Sequence, residues 1–196
     1  MHKLKGRDRG HALDILIKNG AVLDGTGGAC YAADVAVDGE RIVKVGEVGG
    51  VHASRVIDAA GQVVTPGFVD MHSHADFSLP LNPTADSLIR QGITTTVVGQ
   101  CGASPAPLLD ETREQVIEHM DSDDAPMPWA AWSTFGSFLQ FLSANGIGLN
   151  VVPLVGHSTV RAGVMGYESG VPNEEEMAHM RALVKRAMRD GARGLS

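Results

Sequence analysis

The sequence has 196 residues, of which 43% are hydrophobic and 20% charged, and a formal net charge of −7. That balance excludes intrinsic disorder and fits one to two globular domains. The acidic excess argues against a nucleic-acid partner, and two cysteines, Cys30 and Cys101, make no disulfide framework.

The opening stretch MHKLKGRDRGHALD has no apolar core of a secretory signal, and no apolar run reaches the length of a membrane span. A cytoplasmic protein with no membrane partner is therefore expected, with residues 1–12 as a leader. Residues 13–62 read as β-structure. Asp14 to Lys18 is a short strand that Asn19-Gly20 would end, and further turn signals follow at Asp24-Gly25 and Gly27-Gly28. Asp34 to Val37 and Arg41 to Val45 flank Asp38-Gly39, the pattern of a hairpin with a type I′ turn. Arg55 to Asp58 adds another strand. No helical period occurs here, so this part reads as a small β-sandwich-like domain.

From residue 63 onward the pattern alternates between strand and helix. Val63-Val64 leads through Pro66-Gly67 into Phe68-Val69-Asp70-Met71-His72-Ser73-His74. Thr84 to Gln91 predicts a helix stopped by Gly92. Ile93 to Val98 (ITTTVV) is almost wholly β-branched, as a strand covered on both faces would be. Helices are predicted over Glu111 to Met120 and Phe135 to Asn145, and a strand over Gly148 to Val155 that Pro153 disturbs. Asn173 to Asp190 is the clearest helix. Asn173 can cap it, three glutamates suit its N-terminus, and Met177, Met180, Leu183, Val184 and Ala187 form an apolar stripe. Arg193 to Ser196 begins a fourth strand. Strand and helix in alternation imply an α/β fold of parallel repeats over residues 63–196.

His72 and His74 carry the sharpest chemistry. Residues two apart on a strand share a face, so both imidazoles can reach one metal ion, with Asp70 on the same face to orient them. Cys101 directly follows the strand Ile93 to Val98, between Gly99-Gln100 and Gly102. Parallel β/α folds gather their sites at that strand end, where a thiolate is a good zinc ligand. A lone cysteine is otherwise a small inert side chain. Its place at the same end as the histidine pair favours the ligand. His157, at the end of the third strand, can line the same face or serve a loop hydrogen bond. The acidic run Asp121 to Asp124 reads as a solvated loop.

The stretch Val56 to His74, with Val64-Thr65-Pro66-Gly67-Phe68-Val69-Asp70-Met71-His72-Ser73-His74 at its end, resembles the opening of the amidohydrolase superfamily. Val97 to Leu108, around Cys101, resembles the N-acyl-D-amino-acid deacylase (D-aminoacylase) branch. So do Gly156 to Arg161, Val164 to Gly166 and Gly191 to Ser196. Gln100 and Ala103 depart from that pattern, at positions that are not ligands. The resemblance implies a TIM (β/α)8 barrel with a small β-sandwich domain, here only in part, because three strands and the start of a fourth fall short of eight. It implies zinc as cofactor, with Cys101 and histidines of later strands as ligands, and His72 and His74 at a second metal position. It implies a general base beyond Ser196, so no catalytic base is assigned and the chain alone is expected to be inactive. The implied substrate is an N-acyl-D-amino acid. A cyclic amidase of the hydantoinase or dihydroorotase kind, and a non-catalytic truncated fragment, are the alternatives.

Overall fold

The computed structural model describes residues 12–120 and 127–196. The leader, but for Ala12, and the acidic run Asp121 to Asp124 lie outside them. The chain divides after Pro66 into two compact units.

The first unit is one mixed sheet. Its strands are β1 (Leu13–Val22), β2 (Tyr31–Asp38), β3 (Arg41–Gly46), β4 (Ala53–Asp58) and β5 (Val63–Val64), in the order β3-β2-β1-β4, with β5 also on β1. β2 runs antiparallel to β1, whereas β4 and β5 run parallel to it. Leu13, Leu16, Ala36 and Val48 form its core. Asn19-Gly20 does not end β1. The pairing passes from Ile17↔Val35 to Gly20↔Ala33, which places one extra residue on β1 as a bulge. Asn19 takes up that residue with φ +61, a left-handed conformation that asparagine tolerates. Its side chain donates to Asp58 Oδ1 at 2.9 Å, and its backbone N–H donates to Asp34 Oδ1 at 3.1 Å. The hairpin loop is Gly39-Glu40, with positive φ only at Gly39, which is the pattern of a type II′ turn, not the expected type I′.

The second unit is built of parallel β/α repeats. β6 (Phe68–Asp70), β7 (Ile93–Val98) and β8 (Asn150–Pro153) pair in parallel in that order. Leu195 extends the ladder through a parallel bridge to Val155, so the predicted fourth strand begins where expected. Pro153 is accommodated because its missing N–H is not needed there. Its carbonyl accepts from Arg193 N–H at 2.8 Å, and the next residue, Leu154, donates to Val98 O at 2.9 Å.

Among the described residues five α-helices accompany these strands: α1 (Asp86–Ile89), α2 (Arg113–Met120), α3 (Phe135–Asn145), α4 (His157–Met165) and α5 (Glu174–Asp190). Asn173 caps α5, with its side chain accepting from Glu176 N–H and Glu176 returning a bond to Asn173 N–H. α3 has the same reciprocal cap between Thr134 and Ser137. Val98, Phe138, Leu142, Val155, Val160, Met180 and Ala187 belong to one buried cluster that joins sheet and helices. No helix among the described residues is long and apolar enough to cross a membrane.

Candidate metal centre at two strand ends

β6 stops at Asp70, so His72 and His74 lie in the loop beyond it and not on the strand. The strand alternation expected to align them is therefore not what does so. The loop itself turns both rings together: their centroids are 5.9 Å apart with planes at 71°. Two backbone bonds shape this loop. His72 N–H donates to Asp70 Oδ1 at 3.2 Å, and Ser73 N–H donates to Val97 O on β7 at 3.1 Å. Asp70 thus holds the backbone of His72 through a local turn, not its ring.

The partner loop follows β7. Gly99, Cys101 and Gly102 all have positive φ, at +79, +55 and +77. Cys101 has a side chain in a region where few residues other than glycine, asparagine and aspartate sit, and such strain gathers at functional sites. Gly99 admits no side chain, since a Cβ there would lie 2.0 Å from Leu154 O. The Gln100 side chain donates to Met71 O at 2.9 Å, joining the two loops. Further along, Ser104 N–H donates to Thr159 Oγ1 at 2.9 Å, Thr159 Oγ1 donates to Ser104 O at 3.0 Å, and Gly156 N–H donates to Ser104 Oγ at 2.9 Å. This buried network fixes the outgoing chain against α4.

These constraints bring His72 Nε2 within 3.2 Å of Cys101 Sγ. Donor atoms of His72, His74 and Cys101 all lie within 4.8 Å of one another, and all three residues are exposed to incoming solutes. Zinc bonds of ~2.1 Å to nitrogen and ~2.3 Å to sulfur imply donor separations of about 3.4 to 3.6 Å in a tetrahedron. Two imidazoles and a thiolate at these spacings fit such an ion in both chemistry and reach.

His157 is not in this donor group. It opens α4, and its N–H donates to Ser196 O at 3.0 Å. Two residues that shape the site were not visible as such in the sequence, and a third, Asp76, was visible only as a carboxylate near the histidine pair. Gln100 and Ser196 hold the cysteine loop, and Asp76 lies two residues beyond His74 with only 1% of its surface exposed. Neither Asp76 oxygen has a hydrogen bond of ordinary geometry. Burial pushes its carboxyl up to about 7, against the opposing pull of the Asp76, Gly99 and Phe77 backbone amides. Its flanks, Ala75 and Phe77, are the one sequence signal that this acid is turned inward.

A model of the amidohydrolase family matches residues 55–196. The chain is 39% identical over 183 residues to an N-acyl-D-aspartate deacylase of Alcaligenes xylosoxydans xylosoxydans, covering 93% of this chain and 36% of that protein. A D-aminoacylase of the same organism is 36% identical over 183 residues, with 93% and 37% covered. The structure of an N-acyl-D-glutamate deacylase from Bordetella bronchiseptica, complexed with zinc and a phosphonate that mimics the tetrahedral intermediate, aligns with a TM-score of 0.82 at 32% identity. It covers 94% of this chain and 38% of that one. The chain thus spans little more than a third of the length of these relatives.

Proposed function

This chain belongs to the amidohydrolase family, and from that premise we propose that it supplies part of the metal centre of an N-acyl-D-amino-acid deacylase. His72, His74 and Cys101 are the ligands it contributes, and zinc is the metal they hold. The strands β6, β7 and β8 belong to a (β/α)8 barrel with its site at their C-terminal ends. The reaction is hydrolysis of a linear amide. Water adds to the acyl carbon and the C–N bond breaks, leaving a carboxylate and a free D-amino acid. The compartment is the cytoplasm.

The observation that carries this reading is the convergence of two imidazoles and one thiol from the ends of two neighbouring parallel strands. Bound there, zinc supplies Lewis acidity that polarises an acyl carbonyl and lowers the pKa of water from ~15.7 toward ~7. Cys101 acts as a ligand and not as a nucleophile, its sulfur lying with two imidazoles as a third donor. The Asp70 carboxylate holds the His72 backbone, and the Gly99–Gly102 turn presents the thiol.

The test is a side-by-side assay of N-acetyl-D-methionine and N-acetyl-L-methionine with the protein as its gene encodes it, before and after chelation and after zinc is restored. Turnover of the D form that chelation abolishes and zinc restores is expected. Faster turnover of the L form overturns the stereochemical assignment. Turnover of hydantoin or dihydroorotate without any linear amide moves the site to the cyclic amidases.

A further inference from the structure

Cys101 is bracketed by a single hydroxyl. Ser196 Oγ donates to Gly99 O on one side of the cysteine and accepts from Gly102 N–H, at 3.1 Å, on the other. Ser196 is itself fixed in the sheet ladder. Its N–H donates to Val155 O at 3.1 Å, and its carbonyl accepts from His157 N–H at 3.0 Å. A hydroxyl on the far strand therefore closes a ring around a residue held at φ +55. The Gln100 amide, one position before the cysteine, donates at 2.9 Å to the carbonyl of Met71, the residue immediately before His72. One clamp sets the shape of the thiol loop, and the other sets its distance from the histidine loop.

We propose that Ser196 and Gln100 are positioning residues of the metal centre, holding Cys101 Sγ and His72 Nε2 at the separation a shared ion requires. The physical argument is that Cys101 sits in a strained backbone conformation, which persists only when its surroundings over-determine it. Gly99 and Gly102 flank it and would otherwise leave the loop free to relax. The Ser196 hydroxyl satisfies the polar groups of both glycines at once. Without it the left-handed cysteine loses its bracket. Without the Gln100 donor the histidine loop keeps its Ser73 N–H bond to Val97 O on β7 but loses the tie from Met71 O to the cysteine loop. Partners that orient metal ligands in this way typically contribute about 10- to 100-fold in metal affinity.

This inference rests on the reading of His72, His74 and Cys101 as ligands, and cobalt(II) separates the two. The full chain is titrated with cobalt(II) alone, following the near-ultraviolet thiolate-to-metal absorption and the dissociation constant. Ser196→Ala, Ser196→Thr and Gln100→Met are titrated beside it, with circular dichroism to monitor folding. The wild-type chain is expected to bind with a thiolate band. Ser196→Ala and Gln100→Met are expected to bind about 10-fold or more weakly with a shifted or diminished band, and Ser196→Thr to restore both. Variants that match the wild type in affinity and band overturn the positioning role and leave the ligand assignment standing. Weakened binding with an unchanged band and no rescue by threonine overturns it too, because general destabilisation then explains the loss. A wild-type chain that binds cobalt(II) without a thiolate band, or not at all, overturns the ligand reading and this inference with it. If Ser196→Ala does not fold, Gln100→Met decides, since it keeps the length of the side chain and removes only the donor.

Discussion

His72 Nε2 and Cys101 Sγ stand 3.2 Å apart although 29 positions separate them in the chain. Parallel pairing of β6 with β7 brings their C-terminal ends side by side, with Asp70 opposite Thr96. The loops leaving those ends then need only one turn each to meet. The crossover between them, with α1 inside it, closes before β7 begins.

If that pair binds metal, zinc content reports it. Cys101→Ala is expected to lower zinc affinity by about 10-fold or more, and His74→Ala to do the same, because each removes one of three donors. Elemental analysis after dialysis against a weak chelator checks this. Unchanged zinc content in Cys101→Ala would remove the thiolate from the site.

Much of this arrangement is legible in the residues. The β-branched run Ile93–Val98 and the capped, striped helix α5 occupy the segments their patterns announce, because period, propensity and capping agree there. Elsewhere one local signal outweighs another. Asn19-Gly20 carries the mark of a turn, yet β1 continues as a bulge, because β2 and β5 supply pairing on both sides of it. α4 is hidden by Gly163 and by the β-branched Thr159 and Val160, all poor helix formers. It forms because Thr159, Val160, Ala162 and Gly163 are buried together. The histidine pair was visible as chemistry. The strand periodicity that was to align it ends at Asp70, and the tethers from Gln100 and Ser196 are tertiary contacts that no local pattern encodes.

Helix α5 offers a test of local energetics. Asn173→Ala removes the acceptor of Glu176 N–H, bonded at 2.9 Å, while the backbone N–H of residue 173 that donates to Glu176 Oε2 at 2.8 Å is kept. A loss of about 0.5–2 kcal/mol in unfolding free energy is expected. Asn173→Ser, which preserves the acceptor, is expected to lose only a few tenths. Equal losses in both variants would show that the cap does not carry the effect.

In the first unit, Asn19 and Asp58 form a proton-linked pair. The Asn19 amide, then the Ala60 N–H, hold the Asp58 carboxyl below its ordinary 3.8 against the opposing effect of burial, with a smaller contribution from the nearby Lys18 charge. A depressed folded value means that ionised Asp58 stabilises the fold above the unfolded pKa. That contribution is lost as pH falls through the folded value. Asn19→Gly keeps the left-handed bulge but removes the donor. Carbon-13 NMR titration of the carboxyl should show the Asp58 midpoint rising toward 3.8 in the variant. A midpoint that does not move would assign the shift to Ala60 and Lys18 alone.

Gly99 and Gly146 separate two costs that a glycine can hide. Both lie in the second unit and both have positive φ, +79 and +70. A Cβ on Gly146, at the C-terminal end of α3, would meet nothing within 4 Å, so Gly146→Ala carries only the left-handed penalty of about 1–2 kcal/mol. A Cβ on Gly99 would lie 2.0 Å from Leu154 O and 2.8 Å from Leu154 C, both of them backbone atoms with no rotamer to yield. Gly99→Ala must therefore separate the start of the cysteine loop from the segment after β8. A loss above ~3 kcal/mol is expected, in the range reserved for strained or overpacked sites. Because Gly99 O is also the acceptor of Ser196 Oγ, the displaced loop should lose metal affinity along with stability, whereas Gly146→Ala should leave metal affinity unchanged. Urea unfolding of each variant, paired with a zinc titration, checks both statements. Equal destabilisation by the two substitutions would mean that the loop after β7 gives way easily, and that the close approach to Leu154 does not fix the thiol in place.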